Sequence, residues 1–254
     1  MKDYSISEEF TLPSKGKIYG KEVNPVVKIR SMTTMDEMKR LSPSEDKYKQ
    51  LCEVIDSCIV DDIGISSYDM CLSDYQYALQ RMRVATYGAK YDVICKCPYC
   101  LGEHELSFNL DEIEVIEFDE MSSDFEESQM VTLPKSGNKI TLKFQTPRMM
   151  DNVNRRIKEL KKKSKGKSQD KTLLFTILEL IDTVDGEKMD PILKERFVEN
   201  LPMMDTNYIL RKAQKLVESF GVVTEKETTC PICGLDYTGN FRITSEFFGP
   251  RDNA

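Results

Sequence analysis

Cys97-Pro98-Tyr99-Cys100 and Cys230-Pro231-Ile232-Cys233 are two copies of one short motif, C-P-x-C, spaced 133 residues apart. A C-x-x-C turn presents two sulfur atoms from one loop, which is half of the tetrahedral set in a structural zinc site. Neither half suffices alone, so the chain must fold back to bring the two loops together. The sequence therefore predicts one closed, structural Zn²⁺ site, with iron as the less favoured metal, whose ligands are Cys97, Cys100, Cys230 and Cys233.

The other cysteines and the only histidine have simpler interpretations. Cys52, Cys58 and Cys71 fall at apolar, helical positions and are interpreted as buried small hydrophobic residues. Cys95 is either an alternative ligand or, preferably, a residue of the strand that enters the first loop. His104 is either a replacement ligand or, preferably, a polar residue of the strand that leaves it.

The chain also resembles itself. Residues 11–16 (TLPSKG) are followed 121 positions later by residues 132–137 (TLPKSG), and each precedes a strand-like run. Residues 51–56 match residues 177–182 at a spacing of 126, both as amphipathic helices.

Further matches follow in the same order. Asp74 aligns with Asp205 at a spacing of 131, in the helix before each C-P-x-C loop. Gly88 and Gly221 lie where a glycine would end that helix, and Thr146 is the expected N-cap before Pro147. Because the spacings 121, 126, 131 and 133 rise in order, they indicate two copies of one unit.

The fold class expected is therefore α+β, with two pseudo-repeated arms joined by the shared Cys₄ zinc site. Each arm has a β-hairpin, helices, a strand and a C-P-x-C loop, called a knuckle below. The first arm covers residues 1–118, an acidic linker covers 119–130, and the second arm covers 131–254.

The amino-acid composition and the motifs that are absent exclude several classes of function. With 36 basic and 43 acidic residues the net charge is −7, which argues against general coating of nucleic acids. No apolar run approaches the ~18 residues of a membrane span, and no signal peptide is evident, so a soluble intracellular protein is expected. No nucleotide-binding or hydrolase motif is present. We therefore expect a protein that is not an enzyme.

Two charged stretches keep several interpretations open. The acidic stretch 111–127 reads as a solvated connector or as a docking segment for a basic partner. The basic run from Arg155 to Lys171 has three possible interpretations: a solvated loop between helices, a contact for an acidic protein, or a nucleic-acid contact. No aromatic residues are interleaved with it for base stacking.

The first arm resembles a known family through several short motifs. These are L-P-S-x-G-x-x-Y at residues 12–19, M-T-x-x-D/E-E at 32–37, D-x-x-x-x-L-x-x-x-R at 74–83, Tyr87-Gly88 and the first knuckle. Together they resemble the baseplate hub and hub-assembly proteins of contractile-tailed, T-even-type bacteriophages, over about the first 110 residues. The resemblance implies a protein made in the host cytoplasm, acting at the hub with other baseplate and tail proteins, near the tape-measure protein.

Two rival functions remain. A zinc-ribbon regulator would bind nucleic acid through the lysine run, with strongly salt-dependent affinity. A redox enzyme would use a reactive C-x-x-C pair; it is less favoured because both motifs carry proline at the same place and occur as matched halves.

Overall fold

The computed structural model describes residues 7–119, 129–163, 169–241 and 245–248, and it combines helices with small antiparallel sheets, as expected for an α+β fold. The first arm contains β1 (Ser7–Thr11), β2 (Val26–Arg30), α1 (Thr34–Leu41), α2 (Lys47–Cys58), α3 (Leu72–Tyr87), β3 (Lys90–Lys96), β4 (Glu103–Asn109) and β5 (Val115–Ile116).

The remainder of the chain also runs from a hairpin through helices to a second two-stranded hairpin. Its elements are β6 (Met130–Thr132), β7 (Lys139–Leu142), α4 (Pro147–Lys163), α5 (Thr172–Leu180), β8 (Ile181–Val184), α6 (Pro191–Glu199), α7 (Met203–Glu218), β9 (Gly221–Val222), β10 (Glu225–Thr229), β11 (Asp236–Asn240) and a 3₁₀ turn at Ser245–Phe248.

A buried carboxylate fixes the turn of the opening hairpin in each arm. Asp74, in the first turn of α3, accepts hydrogen bonds from the backbone N–H of Ser14 (2.9 Å) and from the hydroxyls of Ser14 and Tyr19. Asp205, in the first turn of α7, accepts hydrogen bonds from the backbone N–H groups of Lys135 (2.7 Å) and Ser136 (2.9 Å). The same contact therefore fixes the Leu-Pro turn of both arms.

The helix that follows each hairpin begins in the same way. The hydroxyl of Thr33 accepts a hydrogen bond from the backbone N–H of Asp36, and that of Thr146 accepts one from Met149, at 3.3 Å in both cases. The N-cap expected at Thr146 is thus confirmed. These helices start 113 residues apart, which is less than the 121 residues between the Leu-Pro turns that precede them. The spacing between matching elements therefore does not rise throughout the chain. The cause is the longer loop between β1 and β2.

The sequence match at a spacing of 126 crosses the end of a helix. Ile55 and Asp56 lie inside α2, whereas their matches Ile181 and Asp182 begin β8. This corrects the expectation of a helix throughout both segments. Strand β8 pairs with β7, whereas the first arm has at this place only one bridge between Ile29 and Ile59.

The two glycines before the knuckles have different roles. Gly88 ends α3 at a positive φ of 83°, with its N–H bonded to the carbonyl of Val84, as predicted. Gly221 instead begins β9, because α7 already ends at Glu218. A Cβ at Gly221 would lie 2.9 Å from the Cβ of Ser73, so this glycine permits the close approach of α3 and β9.

The apolar interior forms two main clusters. One lies among α2, α3 and the hairpins β1–β2 and β3–β4, and it also includes Phe241, Phe247 and Phe248 from the end of the chain. The other lies among α4–α7 and the sheet β6–β7–β8. Strand β5 pairs with β9, which ties the end of the first arm to the second. Among the described residues, no helix is long and apolar enough to cross a membrane.

Candidate metal centre

Each knuckle lies at the tip of a two-stranded hairpin, β3–β4 or β10–β11. In the first, the backbone N–H of Cys97 donates to the carbonyl of Gly102 (3.0 Å), and in the second that of Cys230 donates to Leu235 (2.9 Å). Both tips therefore close with the same hydrogen bond. Each hairpin holds its two cysteines in one turn, and the sulfur atoms of each turn lie next to those of the other.

The four sulfur atoms meet across the two arms. Cys97 Sγ lies 3.8 Å from Cys233 Sγ, and Cys100 Sγ lies 3.7 Å from Cys230 Sγ. All four lie within 4.8 Å of one another. In a tetrahedral site with zinc–sulfur distances of about 2.3 Å, sulfur atoms are about 3.8 Å apart. The cluster therefore has the size that a four-thiolate metal site requires.

The pairing follows a local two-fold relation. The first cysteine of each knuckle lies beside the second cysteine of the other. Cys97 and Cys230 are buried, whereas Cys100 and Cys233 are exposed. Matching positions in the two knuckles thus have matching environments, and neither arm supplies more than half of the cluster.

The thiols influence one another's protonation. Backbone N–H groups of Cys233 and Ile232 point at the sulfur of Cys230 and lower the pKa of this thiol to about 7. The N–H of Leu235 also favours a thiolate at Cys233, but partial loss of hydration within the cluster and the hydrogen bonds with the other three thiols raise the pKa of Cys233 to about 11. Four sulfurs this close cannot all ionise unless a cation lies among them, so the donor set fits a metal ion.

The two knuckles differ in the order of a leucine and a glycine after the second cysteine. The residue after the second cysteine has a positive φ in both, 59° at Leu101 and 73° at Gly234. The first knuckle continues Leu-Gly and the second Gly-Leu. A Cβ at Gly102 would lie 2.4 Å from Cδ1 of Ile232, so a larger residue at this position would displace that side chain of the other knuckle. In the first knuckle Leu101, and not the glycine, has the left-handed conformation.

The remaining cysteines lie outside the cluster. Cys95 is buried in β3, with its sulfur 3.9 Å from the carbonyl oxygen of Asn240, in agreement with the preferred interpretation. Cys52 and Cys58 are buried in α2, and burial raises the pKa of the Cys52 thiol to about 12. These two sites agree with their interpretation as small core residues. Cys71 is also buried, but it is not at a helical position: it is the N-cap of α3, and its sulfur accepts a hydrogen bond from the backbone N–H of Asp74 at 3.5 Å.

His104 lies in β4, beside the metal centre but outside it. Its Nε2 is 2.8 Å from the hydroxyl oxygen of Tyr237 in β11, and the two rings pack edge to face. A polar position in the strand leaving the knuckle is therefore confirmed. Its contact with Tyr237, which joins the two hairpins, could not be foreseen from the residue pattern.

Some residues of the two charged stretches form ion pairs or hydrogen bonds within the chain. Arg155 pairs with Asp46 at 3.2 Å, and Lys158 donates to the carbonyl of Glu45 at 2.6 Å. In the acidic stretch, Glu117 pairs with Lys15 at 2.6 Å. Residues 120–127 and the loop 164–168, which were interpreted as solvated, lie outside the described residues.

Fold and site together define a small α+β protein whose two similar halves meet at a four-cysteine cluster able to hold a metal ion. A family model described as "T4 bacteriophage base plate protein" matches residues 4–249, so this chain belongs to that family. Membership makes it a structural protein of the phage tail baseplate, with other baseplate and tail proteins as partners. No curated protein and no solved structure matches the chain.

Proposed function

We propose that this protein is a non-enzymatic component or assembly factor of the baseplate hub, and that one structural Zn²⁺ holds its two arms together. The observation that carries the proposal is the cluster of four sulfur atoms, two from each arm, all within 4.8 Å of one another. The hub, as distinct from the rest of the baseplate, is inferred from the motifs of the first arm.

Zinc is the metal that this donor set favours. Four thiolates at tetrahedral spacing form a closed site, without the open position that catalytic zinc requires. Zinc binding to such sets contributes about 10–16 kcal/mol in zinc-finger peptides, which is comparable to the whole stability of a domain. Cys97, Cys100, Cys230 and Cys233 would therefore hold the arms in a fixed relation while their outer surfaces contact neighbouring proteins.

The proposed partners are other baseplate and tail proteins, including the tape-measure protein, met first in the host cytoplasm during assembly. Arg155 and Lys158 are already engaged within the chain, which disfavours the alternative, a nucleic-acid-binding regulator. An electrophoretic mobility-shift assay at low salt should show no binding of DNA or RNA. A shift that weakens steeply with salt would support the alternative.

Complementation of a phage that lacks this protein tests the proposal. Wild-type protein and Cys95→Ala, which removes a thiol outside the cluster, should restore complete baseplates visible by electron microscopy. Cys97→Ser and Cys230→Ser should not. Normal baseplates without the protein, or full rescue by both serine variants, would contradict the proposal. Mass spectrometry of purified virions then separates a permanent component from an assembly factor.

A further inference from the structure

The hairpin that carries the second knuckle packs against the first arm. Gly239 of β11 is buried, and a Cβ added to it would lie 2.5 Å from Cδ2 of Leu106 in β4. The ammonium of Lys226 in β10 donates a hydrogen bond to the carbonyl of Ser107 in β4 at 3.0 Å. Among the described residues, the apolar cluster of the second arm contains none beyond Leu216. By its contacts, this hairpin therefore belongs to the first arm.

The same hairpin has almost no apolar interior of its own. Strand β10 has the sequence EKETT and strand β11 has DYTGN, and of these residues Gly239 alone is buried. A two-stranded hairpin is only marginally stable by itself in water. Its position therefore depends on what holds its two ends, which are the knuckle at the tip and the chain that follows β11 at the base.

At the base, three phenylalanines anchor this part of the chain in the first arm. We call Phe241, Phe247 and Phe248 the aromatic anchor, and each of these residues is almost completely buried. The ring centre of Phe241 lies 4.8 Å from that of Phe108, and the ring centre of Phe247 lies 4.7 Å from that of Tyr91. Phe108 and Tyr91 belong to the hairpin β3–β4, so the anchor completes the apolar cluster of the first arm.

Two arginines of the first arm bind the same anchor. Arg83 of α3 is itself buried, and its Nε donates a hydrogen bond to the carbonyl of Phe247 at 3.0 Å. The guanidinium of Arg83 lies 5.2 Å from the centre of the Phe247 ring, and that of Arg40 in α1 lies 5.7 Å from the centre of the Phe248 ring. A cation is attracted to an aromatic face, more strongly where water is excluded. Elements α1, α3 and β3–β4 together therefore hold the anchor.

At the tip, the metal centre holds the hairpin. Cys230 and Cys233 contribute half of the four-sulfur cluster, and beside the cluster the two hairpins meet through the contact of His104 with Tyr237. Without a metal ion, the four thiols contribute only weak sulfur contacts at this end. We call β10, β11 and the aromatic anchor together the strap. The strap is thus fixed at two ends, and one of them depends on the metal.

We propose that the strap is a metal-dependent closure of the first arm. Metal binding at the tip and burial of the aromatic anchor at the base stabilise each other, because the same short hairpin joins both. Loss of the metal releases the strap and exposes the apolar side chains of β3–β4 that it covers, whereas the core of the second arm stays folded. The inference rests on the proposed metal site and not on the proposed role in the hub.

Hydrogen–deuterium exchange of the full-length, zinc-loaded chain, before and after removal of the zinc by a chelator, tests this closure. Zinc removal should speed exchange by about tenfold in β3, β4, β10, β11 and the turn Ser245–Phe248. Helices α5–α7 should keep their protection. An equal increase in α5–α7, or a strap that stays protected without zinc, would overturn the proposal.

A matched pair of variants tests the effect in the other direction. Phe247→Leu alters the aromatic anchor, and Phe175→Leu alters a buried phenylalanine of the second cluster. Coupling between two sites is reciprocal, so Phe247→Leu should weaken zinc binding by about tenfold, measured by competition with a chelator. Phe175→Leu should bind zinc like wild type and speed exchange only around α5. Circular dichroism verifies that both variants are folded. Wild-type zinc affinity in Phe247→Leu would overturn the proposal.

The closure and the metal site can be refuted separately by these measurements. A wild-type chain that binds no zinc would contradict the proposed metal site and the closure together. A chain that binds zinc, yet keeps the strap protected after the zinc is removed, would contradict the closure alone.

Discussion

The two arms share the turns and hairpins that lead to the metal centre and differ in the helices and the strand between them. In both, a buried aspartate fixes the Leu-Pro turn and a hairpin presents two cysteines to the other arm. By contrast, α1 has 8 residues where α4 has 17, and within the part of the chain that the structure describes α6 and a full strand β8 occur in the second arm alone. The shared parts hold the hairpins and the metal centre, whereas α4, α6 and β8 contribute to the apolar core of the second arm.

The largest effect apart from the metal ligands is expected at the two turn aspartates. Asp74→Ala should lower the free energy of unfolding by about 3–5 kcal/mol, because it leaves two hydroxyls and a backbone N–H without their acceptor. Asp205→Ala should cost about 2–3 kcal/mol, because it strands two N–H groups. Urea unfolding measures both. Burial raises the pKa of Asp74, so its effect comes from the stranded donors more than from its charge.

If Asp205→Ala had no effect while Asp74→Ala unfolded the first arm, the equivalence of the two turns would be only geometric. Ser14→Ala is the matched control, since it removes one hydroxyl donor and keeps the carboxylate in place.

A smaller effect distinguishes Asp36 of α1 from Met149, its equivalent in α4. Burial by itself would raise the pKa of Asp36, but hydrogen bonds from Arg30, Thr33 and Ser57 outweigh it and hold the pKa well below the usual range. A lowered pKa means that the ionised carboxylate stabilises the fold above pH ~4 and that this contribution is lost as the pH falls further.

Asp36→Asn should therefore cost about 1–2 kcal/mol at pH 6, and the difference from wild type should shrink between pH 4 and pH 3. Urea unfolding at each pH measures it. Met149→Leu, at the equivalent position, should leave the pH dependence unchanged. A constant difference between Asp36→Asn and wild type across this range would show that the carboxylate acts by its shape and not by its charge.

The smallest effect concerns the two knuckles. Gly234→Ala should cost about 1 kcal/mol, because its φ of 73° is unfavourable for a residue with a Cβ. Leu101→Gly should be nearly neutral, since relief of strain offsets the greater freedom of glycine in the unfolded chain. Thermal unfolding of the metal-loaded protein compares them. Equal losses in both variants would mean that backbone strain does not distinguish the knuckles.

The sequence predicted the parts of this molecule that depend on local spacing. The cysteine pairs, the Leu-Pro turns and the cap at Thr146 each follow from a few neighbouring residues. Asp74 and Asp205 were matched by their positions alone, and their hydrogen bonds to the Leu-Pro turns were not predicted. Each turn is far from its aspartate in the sequence, 60 residues in the first arm and about 70 in the second. Asp151 of α4 accepts hydrogen bonds from the backbone N–H groups of Tyr48 and Lys49 in α2, about 100 residues away, and these were missed for the same reason.

Element ends were the other source of error. Ile181 continues an apolar helical pattern, yet it begins a strand because β7 offers it a partner there. Gly221 looked like a helix-ending glycine, but its role is to let β9 approach Ser73. In both cases a distant element decided the local conformation.

The central claim is that one metal ion joins the two arms, and metal content per chain tests it most directly. Elemental analysis of the purified wild-type protein and Cys95→Ala should give one zinc ion per chain. Cys97→Ser, in the first arm, and Cys230→Ser, in the second, should each lose that zinc together with cooperative unfolding. Wild-type protein without bound metal, or zinc retained in full by both serine variants, would contradict the account.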